Sequence, residues 1–146
     1  MPEKSTSRRQ FLKEGALVGA GLSAGMLSCA ASLRTITPQG RDGRIVVDTS
    51  SIEEFREVGA AVLVNNGESE DPVILVRTTD TEYRAFSSVC PHLGCNVRKN
   101  RFGFRCPCHG SAFDLSGKVV TGPANEDLPS YDVEIDGDSV SIRISS

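Results

Sequence analysis

Two short segments, Cys90-Pro91-His92-Leu93-Gly94-Cys95 and Cys106-Pro107-Cys108-His109-Gly110-Ser111, hold both histidines of the chain and four of its five cysteines. Thiolates and imidazoles are the side chains that bind transition metals. One residue separates Cys90 from His92, two separate Cys106 from His109, and thirteen residues (93–105) lie between the pairs. Each pair can clamp one side of a metal centre from a short loop. Three chemistries suit such a set. Two cysteines and two histidines can hold a two-iron cluster, with both histidines on one iron. They can also hold a structural zinc ion, although the spacings here are not the usual zinc spacings and two cysteines are left over. A disulfide scaffold with incidental histidines is the third.

The two boxes resemble those of the Rieske iron–sulfur proteins, in particular the disulfide-containing branch of quinol-oxidising respiratory and photosynthetic complexes. That branch carries C-T-H-x-G-C and C-P-C-H-G-S. Pro91 stands where threonine is usual, and the remaining positions match. The resemblance runs over residues 41–146, through Gly122-Pro123-Ala124 and Gly137-Asp138. It implies one [2Fe-2S] cluster with Cys90, His92, Cys106 and His109 as metal ligands. It implies a disulfide between Cys95 and Cys108, which are read as occupying matching places in the two loops. His109 or His92 would contact the quinol, and Leu93 would shield the cluster between them. The Ser111 hydroxyl would bond a bridging sulfide. Phe113 replaces a tyrosine whose hydroxyl bonds a ligand sulfur in high-potential members, and Asn125 replaces a proline of the loop that covers the cluster. Rieske-type ferredoxins and oxygenase domains share the four ligands and normally lack the extra cysteine pair.

The ligand set suits electron transfer. With two ferric ions, two sulfides, two thiolates and neutral imidazoles, the oxidised centre has no net charge, and one electron makes it singly negative. Exchanging two thiolates for imidazoles therefore eases reduction. The added electron makes the imidazoles more basic, which links proton to electron uptake. Gly94 and Gly110 are expected to let backbone amides approach the sulfurs, which raises the potential further. The expected function is one-electron transfer as the iron–sulfur subunit of a quinol–cytochrome c oxidoreductase, a redox subunit and not an enzyme alone. The implied partners are quinol, a cytochrome b-type subunit and a c-type cytochrome. The alternative is the small Rieske subunit of a molybdenum oxidoreductase of the arsenite oxidase type. A zinc-stabilised binding module is a third class.

Both boxes need rigid loops at strand ends, and the sequence offers short strands with turn punctuation. The expectation is an all-β domain: a Rieske-type antiparallel β sandwich with a small cluster-binding subdomain built from two loops. Strands are expected at Ile45-Val46-Val47, Ala61–Val64, Val73–Arg77 and Tyr83–Ser87, with a short helical stretch at Ser51–Arg56. Val73-Ile74-Leu75-Val76 is apolar throughout and reads as central. Tyr83–Ser87 leads into the first box, and Phe102–Arg105 leads into the second. Ala112–Asp114 and Val119-Val120 flank a turn at Leu115–Lys118. Tyr131–Ile135 and Ser139–Ile144 alternate around the hairpin turn Asp136-Gly137-Asp138.

The segments before this domain read as an address. Ser7-Arg8-Arg9-Gln10-Phe11-Leu12-Lys13 matches the twin-arginine export pattern. An apolar run rich in Gly, Ala and Ser follows from Gly15 to about Leu33, just long enough to span a bilayer. Residues 1–33 are thus expected as signal or membrane anchor, 34–44 as a linker and 45–146 as the Rieske domain. Cys29, in Met26-Leu27-Ser28-Cys29, is a candidate lipidation site; Ser28-Cys29-Ala30 is also a candidate cleavage site. The expected location is the periplasmic face of a bacterial cytoplasmic membrane, with attachment by anchor or lipid. The formal charge is −3, and residues 29–146 hold 12 basic and 17 acidic side chains. No basic patch or stripe is evident, so no nucleic-acid partner is expected.

Overall fold

A computed structural model describes residues 32–65 and 71–144. The export motif and Cys29 lie outside the described residues. Twelve strands are present among them, in an eight-stranded sheet of order β1-β4-β5-β6-β11-β12-β3-β2 and a four-stranded sheet of order β10-β9-β8-β7. In the large sheet these are β1 (Thr35–Ile36), β2 (Gly40–Arg41), β3 (Arg44–Asp48), β4 (Ala61–Val64), β5 (Val73–Arg77), β6 (Tyr83–Ser87), β11 (Ser130–Asp136) and β12 (Ser139–Arg143). The small sheet holds β7 (Arg98–Asn100), β8 (Gly103–Arg105), β9 (Ala112–Asp114) and β10 (Val119–Thr121).

The large sheet folds over on itself at β11. This strand pairs with β6 through Ser130 and Tyr131, and with β12 from Asp132 onward. Its two halves then face each other. Alternate residues from both halves fill the space between: Ile45 and Val47, Val62 and Val64, Val73 and Leu75, Val140 and Ile142. Two 3-10 turns, Thr49–Ser51 and Glu53–Arg56, stand where a short helical stretch was expected and add Ile52 and Phe55 to this core. The Asp48 carboxylate starts the first turn by accepting from the Ser50 amide at 3.0 Å.

The apolar run in β5 has a specific cause. Val73 and Leu75 point into the core just described. Ile74 and Val76 point the other way, into a second core shared with Phe86 of β6 and with Val97, Phe104, Phe113 and Leu128. A strand with a core on each face cannot alternate apolar with polar, so β5 reads as a continuous hydrophobic stretch.

Two features depart from the sequence reading. Residues 34–44 are not a bare connector. Thr35–Ile36 pairs with β4, Gly40–Arg41 pairs with β3, and Arg34 meets Glu54 at 3.2 Å. The pairing of β1 with β4 is parallel, whereas the other strand pairs among the described residues are antiparallel. Two-residue strands bury too little to leave a hydrophobic period, so nothing in the sequence marks them. The same holds for β7, whose Arg98-Lys99-Asn100 is polar throughout and is ordered by pairing with β8.

Gly103 opens β8 where its neighbour β9 comes close. A Cβ there would lie 2.1 Å from the Phe113 carbonyl oxygen, which is backbone and cannot move aside. Gly103→Ala is therefore expected to destabilise the domain by at least about 2 kcal/mol in urea unfolding. A cost under about 0.5 kcal/mol, typical of an unconstrained surface site, would contradict the β8–β9 approach.

Candidate metal centre

Strand β6 runs into the first box, and the second box joins β8 to β9. The two loops close with the same pair of hydrogen bonds. In the first, the Cys90 amide donates to the Cys95 carbonyl at 2.9 Å, and the Gly94 amide donates to the Cys90 carbonyl at 3.0 Å. In the second, the Cys106 amide donates to the Ser111 carbonyl at 2.8 Å, and the Gly110 amide donates to the Cys106 carbonyl at 3.1 Å. Gly94 and Gly110 take φ values of +77° and +83°, the left-handed region that a side chain disfavours. Their own amides are thus engaged by cysteine carbonyls, and the glycines serve the turn.

This shared backbone pattern corrects one reading of the spacing. Superposing the loops by their hydrogen bonds aligns Cys95 with Ser111 and Cys108 with His92, so Cys95 and Cys108 do not occupy matching places. The disulfide nonetheless forms between them, with a Cα–Cα distance of 6.5 Å. The same alignment puts His92 one position ahead of His109, and the stagger separates their environments. His92 is partly buried and His109 is exposed, with ring centroids 5.0 Å apart and planes at 85°.

Cys90 and Cys106 are free and buried, 1% and 2% exposed. Both belong to the second core with Phe86, Phe104 and Phe113. The Cys106 sulfur lies within 4.8 Å of the sulfurs of Cys95 and Cys108. Those three would resemble a thiolate metal site by proximity alone, but a disulfide has no thiolate to offer, so the grouping reports how tightly the bridge sits against Cys106. Among the described residues, the thiols open to a metal are Cys90 and Cys106.

The Nδ1 atom of His92 is buried and has no hydrogen-bond partner among the described residues. An orphaned buried polar atom costs about 1–3 kcal/mol. A metal bound at that nitrogen would remove the cost. Two free buried thiols, a buried imidazole nitrogen without a partner and a second imidazole 5.0 Å away are a donor set that fits a two-iron centre with mixed ligation.

The surroundings close over this site. Ser111 is fully buried, and its Oγ accepts from the Ala124 amide at 3.0 Å. That bond ties the Gly122-Pro123-Ala124 segment, with its cis Gly122–Pro123 bond, down onto the second loop. Arg105 packs beside the second loop, its Nη2 3.4 Å from where a Gly110 Cβ would sit. Leu93 is 67% exposed, on the rim of the site. The absence of a basic patch, inferred from the overall charge, does not hold once the chain is folded. Arg98, Lys99, Arg101 and Arg105 fall on the β7–β8 hairpin, and no acidic residue occurs from Tyr83 to Phe113. Sequence reasoning missed Arg105 as a neighbour of the site; the recurrence of glycine four residues after each leading cysteine was the available signal for the shared loop design.

Comparison with known proteins agrees with this geometry. The Rieske [2Fe-2S] domain family matches residues 48–132. The cytochrome b6-f complex iron-sulfur subunit 1 of a Nostoc species is 36% identical over 100 residues, which are 64% of this chain and 54% of that protein. The cytochrome b6-f complex iron-sulfur subunit of a Synechococcus species is 34% identical over 112 residues, 69% of this chain and 64% of that protein. The chain thus spans little more than half to under two thirds of these relatives. Among solved structures, the plasma membrane Rieske protein PetC3 of Synechocystis is 31% identical with a TM-score of 0.56, covering 67% of this chain and 97% of that one. The chain belongs to the Rieske [2Fe-2S] family. Its all-β fold is the Rieske fold, and its cofactor is one [2Fe-2S] cluster.

Proposed function

We propose that Cys90 and Cys106 hold one iron as thiolates, that His92 and His109 hold the other as imidazoles, and that the chain is the iron–sulfur subunit of a quinol–cytochrome c oxidoreductase of the bc1/b6f type. The observation that carries the reading is the Cys95–Cys108 disulfide across two loops that also bring both histidines together. Relatives named as cytochrome b6-f iron-sulfur subunits support it. When bound, the cluster accepts and returns one electron. The protein's part is positional. His109 is exposed and can present its outer ring nitrogen to a quinol hydroxyl, while Leu93 supplies an apolar rim against the quinol ring. His92 is the more enclosed of the two and is the second candidate contact. Ser111 accepts from Ala124, which leaves its hydroxyl proton to donate toward the cluster.

The proposed setting is the periplasmic face of a bacterial cytoplasmic membrane, reached by twin-arginine export and held by the N-terminal segment or by lipid on Cys29. Among the described residues no helix is long and apolar enough to cross a membrane. Affinity purification of the tagged chain from its native membranes tests the reading. Stoichiometric b- and c-type haem should co-purify. A molybdenum cofactor with no haem b would replace this reading by that of a molybdenum oxidoreductase small subunit.

The surroundings also set the potential. Phe113 is buried in the core that holds Cys90 and Cys106, and a tyrosine there would offer a hydroxyl to that environment. A hydrogen bond that strengthens with added negative charge favours the reduced form. Only the difference between redox states counts, so each such bond is expected to shift the potential by on the order of tens of millivolts. Protein-film voltammetry at one pH should place Phe113→Tyr above the parent and Ser111→Ala below it. If Phe113→Tyr leaves the potential unmoved with the cluster intact, position 113 does not address a ligand sulfur.

A further inference from the structure

The charges of this domain are segregated. From Tyr83 to Phe113 there are five basic residues and no acidic one, while the rest of residues 29–146 holds seven basic and seventeen acidic. Arginines outside the hairpin mostly meet carboxylates: Arg34 with Glu54, Arg44 with Glu134, Arg56 with Glu53, Arg77 with Asp80, Arg143 with Asp132 and Glu134. Arg98, Lys99, Arg101 and Arg105 form no ion pair among the described residues.

Their arrangement is costly in isolation. Arg98 and Arg105 are direct cross-strand partners in the β7–β8 pair. Like charges placed opposite each other on neighbouring strands destabilise a sheet. Both side chains are exposed, as is Arg101 at the hairpin turn. Next to them Phe102 is 80% exposed, with the Arg101 guanidinium 5.8 Å from its ring centroid. An aromatic ring among arginines with no carboxylate is the composition of an interface, where Arg and aromatic side chains anchor a partner. Arg105 joins this face directly to the second loop, ahead of Cys106 and against Gly110.

We propose that the outer face of the β7–β8 hairpin (Arg98, Arg101, Phe102 and Arg105) is a docking surface for a redox protein with an acidic face. The proposal rests on the electron-transfer reading only for the class of partner. Carboxylates from a partner would relieve the Arg98–Arg105 repulsion, and the apolar ring would bury against it. A discrete acidic patch also suits the charge distribution better than a broad anionic membrane, which would repel the negative remainder of the domain. The surface sets direction as well as affinity, since complementary charge steers encounter toward the end of the domain that holds the metal-binding loops.

Isothermal titration of the cluster-loaded full chain tests this, with two probes: a basic c-type cytochrome, and the same cytochrome with its lysines succinylated. The succinylated form should bind the parent, and raised salt should weaken the complex. Arg98→Glu combined with Arg101→Glu should weaken it at least about tenfold. Arg56→Glu, on the opposite lobe, should leave affinity unchanged. Arg98→Glu puts a carboxylate opposite Arg105, so the urea midpoint of that single variant should hold or rise, which separates lost docking from lost fold. Equal binding by the parent and the double variant, or no binding of the succinylated form by the parent, overturns the proposal. So does a double variant that keeps its affinity for the cytochrome and instead stops sedimenting with phosphatidylglycerol vesicles, because the face would then be a membrane contact. Binding is read as heat, so a complex that forms through the hairpin without reducing the cytochrome upholds the docking surface and removes the electron-transfer reading.

Discussion

His92→Ala is expected to purify without a cluster, where the parent holds two irons and two acid-labile sulfides per chain. Its reduced EPR spectrum should lose the low average g of mixed nitrogen and sulfur ligation. Cys90→Ala and Cys106→Ala should do the same. The physical case is strongest for His92, because its buried Nδ1 has no partner among the described residues. A side chain kept for packing would not leave a buried nitrogen unsatisfied at a cost of about 1–3 kcal/mol. It follows that the metal-free His92→Leu protein should be at least as stable as the metal-free parent, whereas removal of a structural histidine would lower stability. Parallel iron, sulfide and zinc analysis with urea unfolding of both metal-free forms decides this. Stoichiometric zinc without sulfide in the parent would sink the assignment of residues to a two-iron centre.

Exchanging Cys95 and Cys108 together for serine should leave the four proposed ligands in place and weaken what holds them. The bridge is the covalent tie between the two cluster loops, and it closes a loop with a sequence separation of 13. A cross-link of this span is worth about 3 kcal/mol in the chain-entropy account. Without it the loops can part, and the Cys106 thiol beside the bridge loses its neighbour. The double variant should assemble a cluster with a lower potential and lose it in far less urea than the parent. Visible absorbance during denaturation reports cluster loss, and non-reducing mass mapping of the parent should find residues 95 and 108 linked. Two free thiols there, or an unchanged denaturation profile, would contradict the role given to the bridge.

The chemistry was more legible in the sequence than the architecture that supports it. The disulfide pair and most strands could be read because each leaves a local mark: a box, a run of apolar residues or a turn with glycine. β1, β2 and β7 leave none, since a strand of two or three residues exists only through its neighbour and its pairing energy is tertiary. The same limit applied to charge. Arg98 and Arg105 lie seven positions apart in a chain of net negative charge, and only the β7–β8 register makes them one basic face. The stagger between His92 and His109 was written in the boxes, but its outcome was not. Which ring is enclosed and which meets solvent depends on how two similar loops pack against Phe86, Phe104 and Ala124.

β5 belongs at once to both cores, with Val73 and Leu75 serving one and Ile74 and Val76 the other. Neither half of the molecule can therefore melt and leave the other intact. Opening the cluster lobe exposes one face of a strand whose other face anchors the sandwich, and the reverse is equally true. Amide hydrogens along β5 should accordingly be among the slowest to exchange with solvent, and they should exchange at the rate of global opening. A redox centre built in this way is not an accessory attached to a scaffold: oxidative damage that releases the iron would register across the whole body as reduced protection of Val73–Val76.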